Sequence, residues 1–200
     1  AVSSCDTEIN GVMSSGLVVV LTWNPPDRSC TTSAELPDCD PTDLDLHLGN
    51  AEGYSWYSPS DCFCMTCIAA EGDYLNWDQE GGFDDPILYR DDRVGFGPEV
   101  IAIQDPSTVH DYYIGVHVYK NELSGFEPFP AIALIEVFCG GTSVYLSEPT
   151  DLASFAAESE DFWIVAAIRR DDRTCIVSPF TDPDGSIRVR YHINLQTDWW

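Results

Sequence analysis

The chain has 200 residues, of which 44% are hydrophobic and 12% aromatic, enough to bury the core of one domain or at most two. Its 34 acidic residues against 9 basic ones give a net charge of −25. This charge argues against nucleic acid and anionic membrane surfaces as partners, because phosphate binding needs clustered lysine and arginine. No apolar run approaches the ~18–20 residues that span a bilayer, so we expect no membrane insertion.

Short segments rich in valine, isoleucine and aromatic residues recur along the chain, separated by Gly, Pro, Asn and Asp. This composition is typical of strands bounded by turns. The predicted strands are 16–23, 43–48, 54–57, 99–104, 111–119, 131–138, 143–147, 161–169 and 186–193. The one predicted helix is a short connector over 150–158.

This order of elements predicts an all-β fold, an antiparallel β-sandwich with long loops stabilised by disulfides and metal. We expect a single domain over 1–200, with its core at about 16–178 and a C-terminal extension or assembly segment at 179–200. No cleavable signal peptide is visible at Ala1, and we expect the numbering to begin at a mature N-terminus.

The segment DLDLHL, residues 43–48, alternates polar and apolar residues without a break. Successive side chains of a strand point to opposite faces, so the three leucines share one face and pack into the core. Asp43, Asp45 and His47 share the other face. Two carboxylates and an imidazole on one short strand need an explanation in a chain already crowded with negative charge.

Eight cysteines form an even set that predicts up to four disulfides in an oxidising, extracellular compartment. We expect Cys139–Cys175 to tie two late strands and Cys62–Cys67 to close a small loop. The remaining two bonds would come from Cys5, Cys30, Cys39 and Cys64, leaving no free thiol. The alternative is that Cys62, Cys64 and Cys67 form half of a zinc site, although no second cysteine or histidine pair lies nearby.

Two loops, 24–42 and 58–98, are too long for simple turns. The second leads into a dense acidic section whose carboxylates fall within sixteen residues: Asp84, Asp85, Asp91, Asp92 and Glu99. Ca²⁺ takes six to eight oxygens from carboxylates and carbonyls, which a glycine-bent loop can supply. We expect a calcium site here, completed by Asp43 and Asp45. The alternative is a solvated acidic loop whose aspartates cap turns.

Two histidines stand opposite core-facing residues, His47 in its strand and His117 in YYIGVHVYK. If these strands pair, the two imidazoles come within metal-bridging distance, which makes them a second candidate metal site. The alternative is an ordinary hydrogen-bonded side chain at each position. Both side chains should point away from the core, so their replacement is expected to leave folding almost unchanged.

Signatures of common enzymes are missing from the sequence: there is no HExxH, GxSxG, Walker-type loop or GxGxxG before a helix. Paired carboxylates of the kind used in glycoside hydrolysis are uninformative in so acidic a chain. We therefore expect no catalysis. An acidic carbohydrate-active enzyme is the weakest of the functional hypotheses.

The segments LVVVLTW, DLDLHL, DDP, GPE, YYIGVHVY and FCGG stand in an order that resembles the secreted β-sandwich modules of bacterial surface proteins. The resemblance runs from about residue 16 to 178. Over this range the chain is similar to YfaP-type domains and to the copper-binding surface proteins MopE and CorA of methanotrophs. In the MopE and CorA type, two histidines and a tryptophan-derived kynurenine hold copper.

The resemblance places His47 and His117 at the two histidine positions. The kynurenine position, two residues before the first histidine, is occupied by Asp45. A carboxylate with two imidazoles suits Cu(II) or Zn²⁺ better than Cu(I), unless Asp45 serves calcium instead. The acidic segments DDP, DD and GPE resemble the family more closely and imply structural calcium.

The leading hypothesis is a non-catalytic, secreted module of a surface layer, filament or adhesive assembly, stabilised by calcium and disulfides. The alternative is a secreted copper-binding protein using His47 and His117. Terminal tryptophans Trp199 and Trp200 would be wasteful exposed surface on a monomer, so we expect them to contact another copy of the chain or another surface component.

Overall fold

The structure, a computed structural model, describes residues 16–24, 43–51, 56–68, 75–77, 83–92, 97–106, 111–119, 131–152, 162–171, 174–186 and 188–190. Every regular element in these ranges is a strand. In chain order they are β1 (Leu17–Asn24), β2 (Asp43–Asn50), β3 (Asp61–Cys62), β4 (Pro86–Arg90), β5 (Glu99–Ile103), β6 (Asp111–Tyr119), β7 (Ile132–Cys139), β8 (Thr142–Leu146), β9 (Thr150–Asp151), β10 (Phe162–Asp171), β11 (Thr174–Pro179) and β12 (Arg188–Arg190).

The strands form two antiparallel sheets. Sheet 1 has the order β4-β5-β1-β7-β8, with β9 also paired to β7, and sheet 2 has the order β11-β10-β6-β2-β3, with β12 also paired to β10. The two sheets pack their apolar faces together, so the predicted antiparallel β-sandwich is confirmed. In the described part of the chain no helix is long and apolar enough to cross a membrane.

The core lies between the inner faces of the two sheets. On β2 the three leucines Leu44, Leu46 and Leu48 are fully buried there, as the alternation predicted. Sheet 1 contributes alternate residues of β1 and β5, among them Trp23 and Ile101. Fully burying a side chain of this size stabilises the fold by about 1.5–3 kcal/mol, so these strand faces fix the register of each sheet.

Two disulfides join described cysteines, and both are the predicted pairs. Cys139–Cys175 connects the end of β7 in sheet 1 to β11 in sheet 2, and Cys62–Cys67 closes a loop with a sequence separation of 5. Each bond stabilises the fold by about 2–4 kcal/mol, chiefly by restricting the unfolded chain. Disulfides of this kind indicate a compartment outside the reducing cytoplasm.

Cys64 is a free thiol, which departs from the expectation that every cysteine is paired. The physical reason is its position: the thiol is half-buried and hydrogen-bonded to the Asp45 carboxylate. The other three cysteines of the expected set, Cys5, Cys30 and Cys39, lie outside the described residues, as do Trp199 and Trp200.

Four described strands were not predicted from the sequence: β3, β4, β9 and β11. β3 is only two residues long. β4 lies inside the acidic section, where the surrounding charges hide its short apolar run. β11 exposes most of its side chains and therefore has no strong hydrophobic pattern.

Two predicted elements differ from the structure. The strand predicted over 54–57 is wrong where the structure describes it, because Trp56 and Tyr57 lie in a turn and Tyr57 has φ 60. The helix predicted over 150–158 is wrong at its start, since Thr150–Asp151 forms β9 against β7. In both cases tertiary context outweighs local propensity.

Candidate metal centre

A cluster of carboxylates lies where the open edge of β2 meets the start of β5. β3 pairs only with Leu48 and Gly49, so the edge of β2 before these residues has no strand beside it among the described elements. Glu99 reaches across from sheet 1, and its Oε2 accepts a 2.6 Å hydrogen bond from the backbone N–H of Leu46. The side chain therefore joins the two sheets.

Glu99 is held in place from a second direction as well. Its Oε1 accepts a 3.2 Å hydrogen bond from the backbone N–H of Asp92, and the residue is fully buried. β5 begins at Glu99, directly after the cis peptide between Gly97 and Pro98. Gly97 has φ 64 and lies so close to Trp23 that a Cβ there would come within 2.9 Å of the indole ring. A glycine is therefore needed at the turn that delivers Glu99.

Three carboxylates converge at this point, and together they are named the carboxylate corner: Asp43, Asp45 and Glu99. One oxygen from each lies within 4.8 Å of the others. Oxygens bound to one Ca²⁺ at about 2.3–2.6 Å lie at most about 5 Å apart, so this spacing fits a single ion of that size. The corner is an oxygen-only donor set, which suits a hard cation.

The electrostatics of the corner are unfavourable without a cation. Burial raises the pKa of Glu99 from 4.5 to about 9, the hydrogen bond from Leu46 opposes this rise, and the charge of Asp45 adds to it. At neutral pH the metal-free corner therefore keeps a proton on Glu99. A bound divalent cation reverses this balance, because it favours the ionised carboxylate that burial penalises.

The other predicted calcium ligands divide into two pairs. Asp91 and Asp92 lie beside the corner: the charge of Asp91 acts on Glu99, and Asp92 Oδ2 contacts Arg90 Nη2 at 3.1 Å. Asp84 and Asp85 precede β4, whereas Asp91 and Asp92 follow it. Asp85 Oδ1 accepts a 2.6 Å hydrogen bond from the backbone N–H of Trp77, so it fixes the chain there.

Cys64 forms part of the wall of the corner. Its pKa is raised, first by burial and then by the charges of Asp45 and Asp91, so the thiol stays protonated beside these carboxylates. Sequence reasoning assigned Cys64 to a disulfide and missed this contact, because the spacing of the cysteines says nothing about which of them meets an aspartate.

The predicted pairing of the two histidine strands is confirmed, since Asp45 lies opposite His117 and His47 lies opposite Gly115 in the β2–β6 ladder. The two imidazole centroids are 6.2 Å apart. His117 Nδ1 lies 3.5 Å from Asp45 Oδ2. Asp45, a member of the carboxylate corner, therefore also contacts the His117 imidazole.

His47 points away from the sandwich core but is nevertheless fully buried. Its Nδ1 is 2.8 Å from Asp61 Oδ2, and the same oxygen accepts a 2.7 Å hydrogen bond from the backbone N–H of Tyr57. Phe63 stacks on the imidazole at 4.9 Å and Phe162 packs edge-on at 5.1 Å. These residues, with His47, are named the histidine pocket.

The expectation that His47 can be replaced without effect on folding assumed an exposed side chain, and the burial of His47 removes that basis. A turn at residues 56–63 closes over the outer face of β2 and replaces solvent with aromatic rings and a carboxylate. Sequence reasoning also missed Asp61. The available signal was the turn-forming run YSPSDC between aromatic residues, which places an aspartate near the strand that β3 pairs with.

No family model matches the chain, and no curated protein matches it. Two solved structures are similar to it. SAV2460, a protein of unknown function, has 15% identity and a TM-score of 0.47, covering 86% of this chain and 94% of that chain. SCO6318 from Streptomyces coelicolor A3(2), a homologue of the telluride resistance protein TerD, has 14% identity and a TM-score of 0.45, covering 85% and 93%. At this level the similarities do not bear on function, and the resemblance to surface modules stays a prediction.

Proposed function

We propose that this chain is a non-catalytic extracellular structural module in which one calcium ion, held by the carboxylate corner, ties the two sheets together. The observation that carries the proposal is the convergence of Asp43, Asp45 and Glu99 from different sheets within 4.8 Å. A cation is the simplest group that stabilises three such carboxylates at once.

Calcium is favoured over other ions by the donor chemistry and by the compartment. The three ligand atoms are all oxygens, and Ca²⁺ accepts irregular oxygen shells completed by water or backbone carbonyls. Two disulfides support an oxidising, extracellular location. Extracellular modules function with calcium affinities of about 10⁻⁴–10⁻³ M, so a partly exposed corner is sufficient.

The ion would act on the fold by connecting the open edge of β2 to the start of β5. Without it, Glu99 spans this gap through single hydrogen bonds to Leu46 and Asp92. A ligand that binds only the folded state stabilises it by about 2.7 kcal/mol at a hundred times its dissociation constant. The bound ion would thus hold the two sheets together at the edge of β2 that has no neighbouring strand among the described residues.

The test is thermal unfolding of the full chain in EDTA and in excess calcium. Asp43→Asn is expected to lose most of the stabilisation by calcium while keeping its stability in EDTA, because Asp43 is only half-buried. The matched control is Asp105→Asn, the same substitution at an exposed aspartate. An unchanged melting temperature of the wild type between EDTA and calcium would refute the proposal.

A second candidate function is copper binding by His47 and His117, favoured by one specific arrangement. Each imidazole has a carboxylate at its Nδ1, Asp61 at 2.8 Å and Asp45 at 3.5 Å. A carboxylate at one ring nitrogen orients a histidine to bind metal through the other. Among the described residues, none forms a hydrogen bond with Nε2 of His47.

Copper titration followed by electron paramagnetic resonance separates the two sites. His117→Ala is expected to lose bound Cu(II) and to keep the calcium response, whereas Asp43→Asn does the reverse. His117 is the better position to change because its side chain is 12% exposed, against 0% for His47. Equal copper binding by wild type and His117→Ala would eliminate the copper site.

A further inference from the structure

Exposed apolar side chains gather at one side of the sandwich. Val144 and Leu146 of β8 are 40% and 58% exposed, and Ile176 of β11 is 62% exposed. β8 is the last described strand of sheet 1, β11 is the last of sheet 2, and the Cys139–Cys175 disulfide connects the sheets here. Val144 and Leu146 share the outer face of sheet 1, because Tyr145 between them packs against the core. Ile176 lies on the outer face of sheet 2, between the core-packed Cys175 and Val177, so the apolar patch is that of β8.

β8 itself carries no charge, although the chain as a whole has a net charge of −25 and Glu136 lies opposite Leu146 on the neighbouring β7. The sequences of the two strands, TSVYL and TCIVSP, contain no acidic or basic residue. Two copies of so acidic a chain repel each other wherever carboxylates meet. The β8 side is therefore a surface on which a second copy can approach without bringing charged strands together.

Two of the other terminal strands, β4 and β3, are protected from pairing, unlike β8. Ile68 forms a bridge with Leu88 on β4, where Leu88 N–H donates to the Cys67 carbonyl at 2.8 Å, and β4 also carries Pro86 and Arg90. β3 has only two residues and ends at the Cys62–Cys67 disulfide. Proline, charge, short length and covering segments are the usual devices that block strand addition. β8 has five residues and none of its side chains is of a blocking type.

We propose that a second copy of this chain binds along β8, pairing antiparallel with the same strand so that sheet 1 continues across two molecules. Such a contact is related by a two-fold axis and closes as a dimer, with Val144 and Leu146 of both copies packed beside the new ladder. The contact is small and mostly backbone, so it is weak and needs salt to screen the remaining acidic surface. It uses an edge distinct from the carboxylate corner and does not rest on the calcium proposal.

The test is sedimentation of the full chain at physiological salt, from low micromolar to near-millimolar concentration, in EDTA and again in calcium. We expect a monomer–dimer equilibrium in both buffers, and hydrogen exchange at 142–146 that slows as the concentration rises. Leu146→Lys is expected to weaken dimerisation at least about tenfold, because it places a charge in the interface. This variant should fold, since Leu146 is exposed and lies opposite Glu136 on β7.

The matched control is Phe83→Lys, which makes the same change in charge at a side chain that is 68% exposed before β4. It is expected to dimerise as the wild type does. A monomer at every concentration overturns the proposal, as does equal weakening by the two variants. Association that needs calcium and ignores Leu146→Lys also overturns it, because the interface would then lie elsewhere. Failure of the calcium response with dimerisation intact in EDTA counts only against the calcium site.

Discussion

The carboxylate corner and the histidine pocket are both built on the outer face of β2, one around Asp43 and Asp45 and the other around His47, but their polar groups meet different partners. In the histidine pocket, Asp61 receives hydrogen bonds from both His47 and the Tyr57 backbone, and aromatic rings exclude water. In the carboxylate corner, three acids face one another. In the first cluster an acid meets an imidazole and a backbone N–H, although His47 Nε2 and Asp61 Oδ1 have no hydrogen-bond partner among the described residues. In the second the acids face one another and need a proton or a cation.

The difference comes from what covers each half of the strand. The turn at 56–63 folds over His47 and supplies Asp61 from within the same sheet, where β3 pairs with β2. Asp43 and Asp45 lie before this cover, and the group that reaches them from the other sheet is another acid, Glu99. A buried polar group costs free energy unless it is paired, so the two halves should respond differently to mutation and to cations.

The largest effect is expected in the histidine pocket. Asp61→Ala removes the acceptor for both His47 Nδ1 and the Tyr57 N–H while leaving these groups buried. Each buried group left without a partner costs about 1–3 kcal/mol, so the loss of stability should be several kcal/mol and the same in EDTA and in calcium. Chemical denaturation in both buffers measures it.

Asp61→Asn serves as the graded variant for this prediction, because an amide keeps one acceptor oxygen and should recover part of the loss. Asp105→Ala removes an exposed carboxylate and is expected to change stability little. If Asp61→Ala were harmless, or destabilised the chain only in calcium, the pocket would not be stabilised by the Asp61 hydrogen bonds in the way described above.

Sequence periodicity was sufficient to predict the two faces of β2. Leu44, Leu46 and Leu48 go to the core because a strand with period two has one side for them. It also placed Asp43 and Asp45 on one face, and the density of acids in the following section singled out Glu99, which lies close to both. These inferences succeed because they depend on local geometry or on a pairing that the turn chemistry suggests.

The remainder depends on tertiary placement, which residue type does not encode. Asp84 and Asp85 resemble Asp91 and Asp92 in sequence, yet the five residues of β4 separate the pairs. Asp61 has no periodic signal and becomes a partner of His47 only when β3 adds to β2. Spacing likewise predicted the Cys62–Cys67 bond but not that Cys64 would meet Asp45.

At the carboxylate corner, removing a carboxylate is expected to have a smaller effect on stability, and in the absence of metal this effect should be stabilising. Because the pKa of Glu99 in the folded chain is about 9, above its ordinary 4.5, the folded state holds this proton more tightly than the unfolded state. The metal-free protein should therefore be stabilised by Glu99 below about pH 4.5, and this contribution should fall as pH rises toward 9. Calcium should suppress that fall, since it binds the ionised form.

Glu99→Gln tests this sign directly, because glutamine keeps the shape and the acceptor for Leu46 N–H but does not ionise. In EDTA at neutral pH the variant should melt about 2–4 °C above the wild type, which corresponds to about 1 kcal/mol for a chain of this size. In calcium the order should reverse, since the variant loses a charged ligand. Melting temperatures of both proteins, measured across pH in EDTA and in calcium, check this reversal of order. A variant less stable than wild type in EDTA would mean that Glu99 is ionised without a cation, and the corner would then need neither a proton nor a cation.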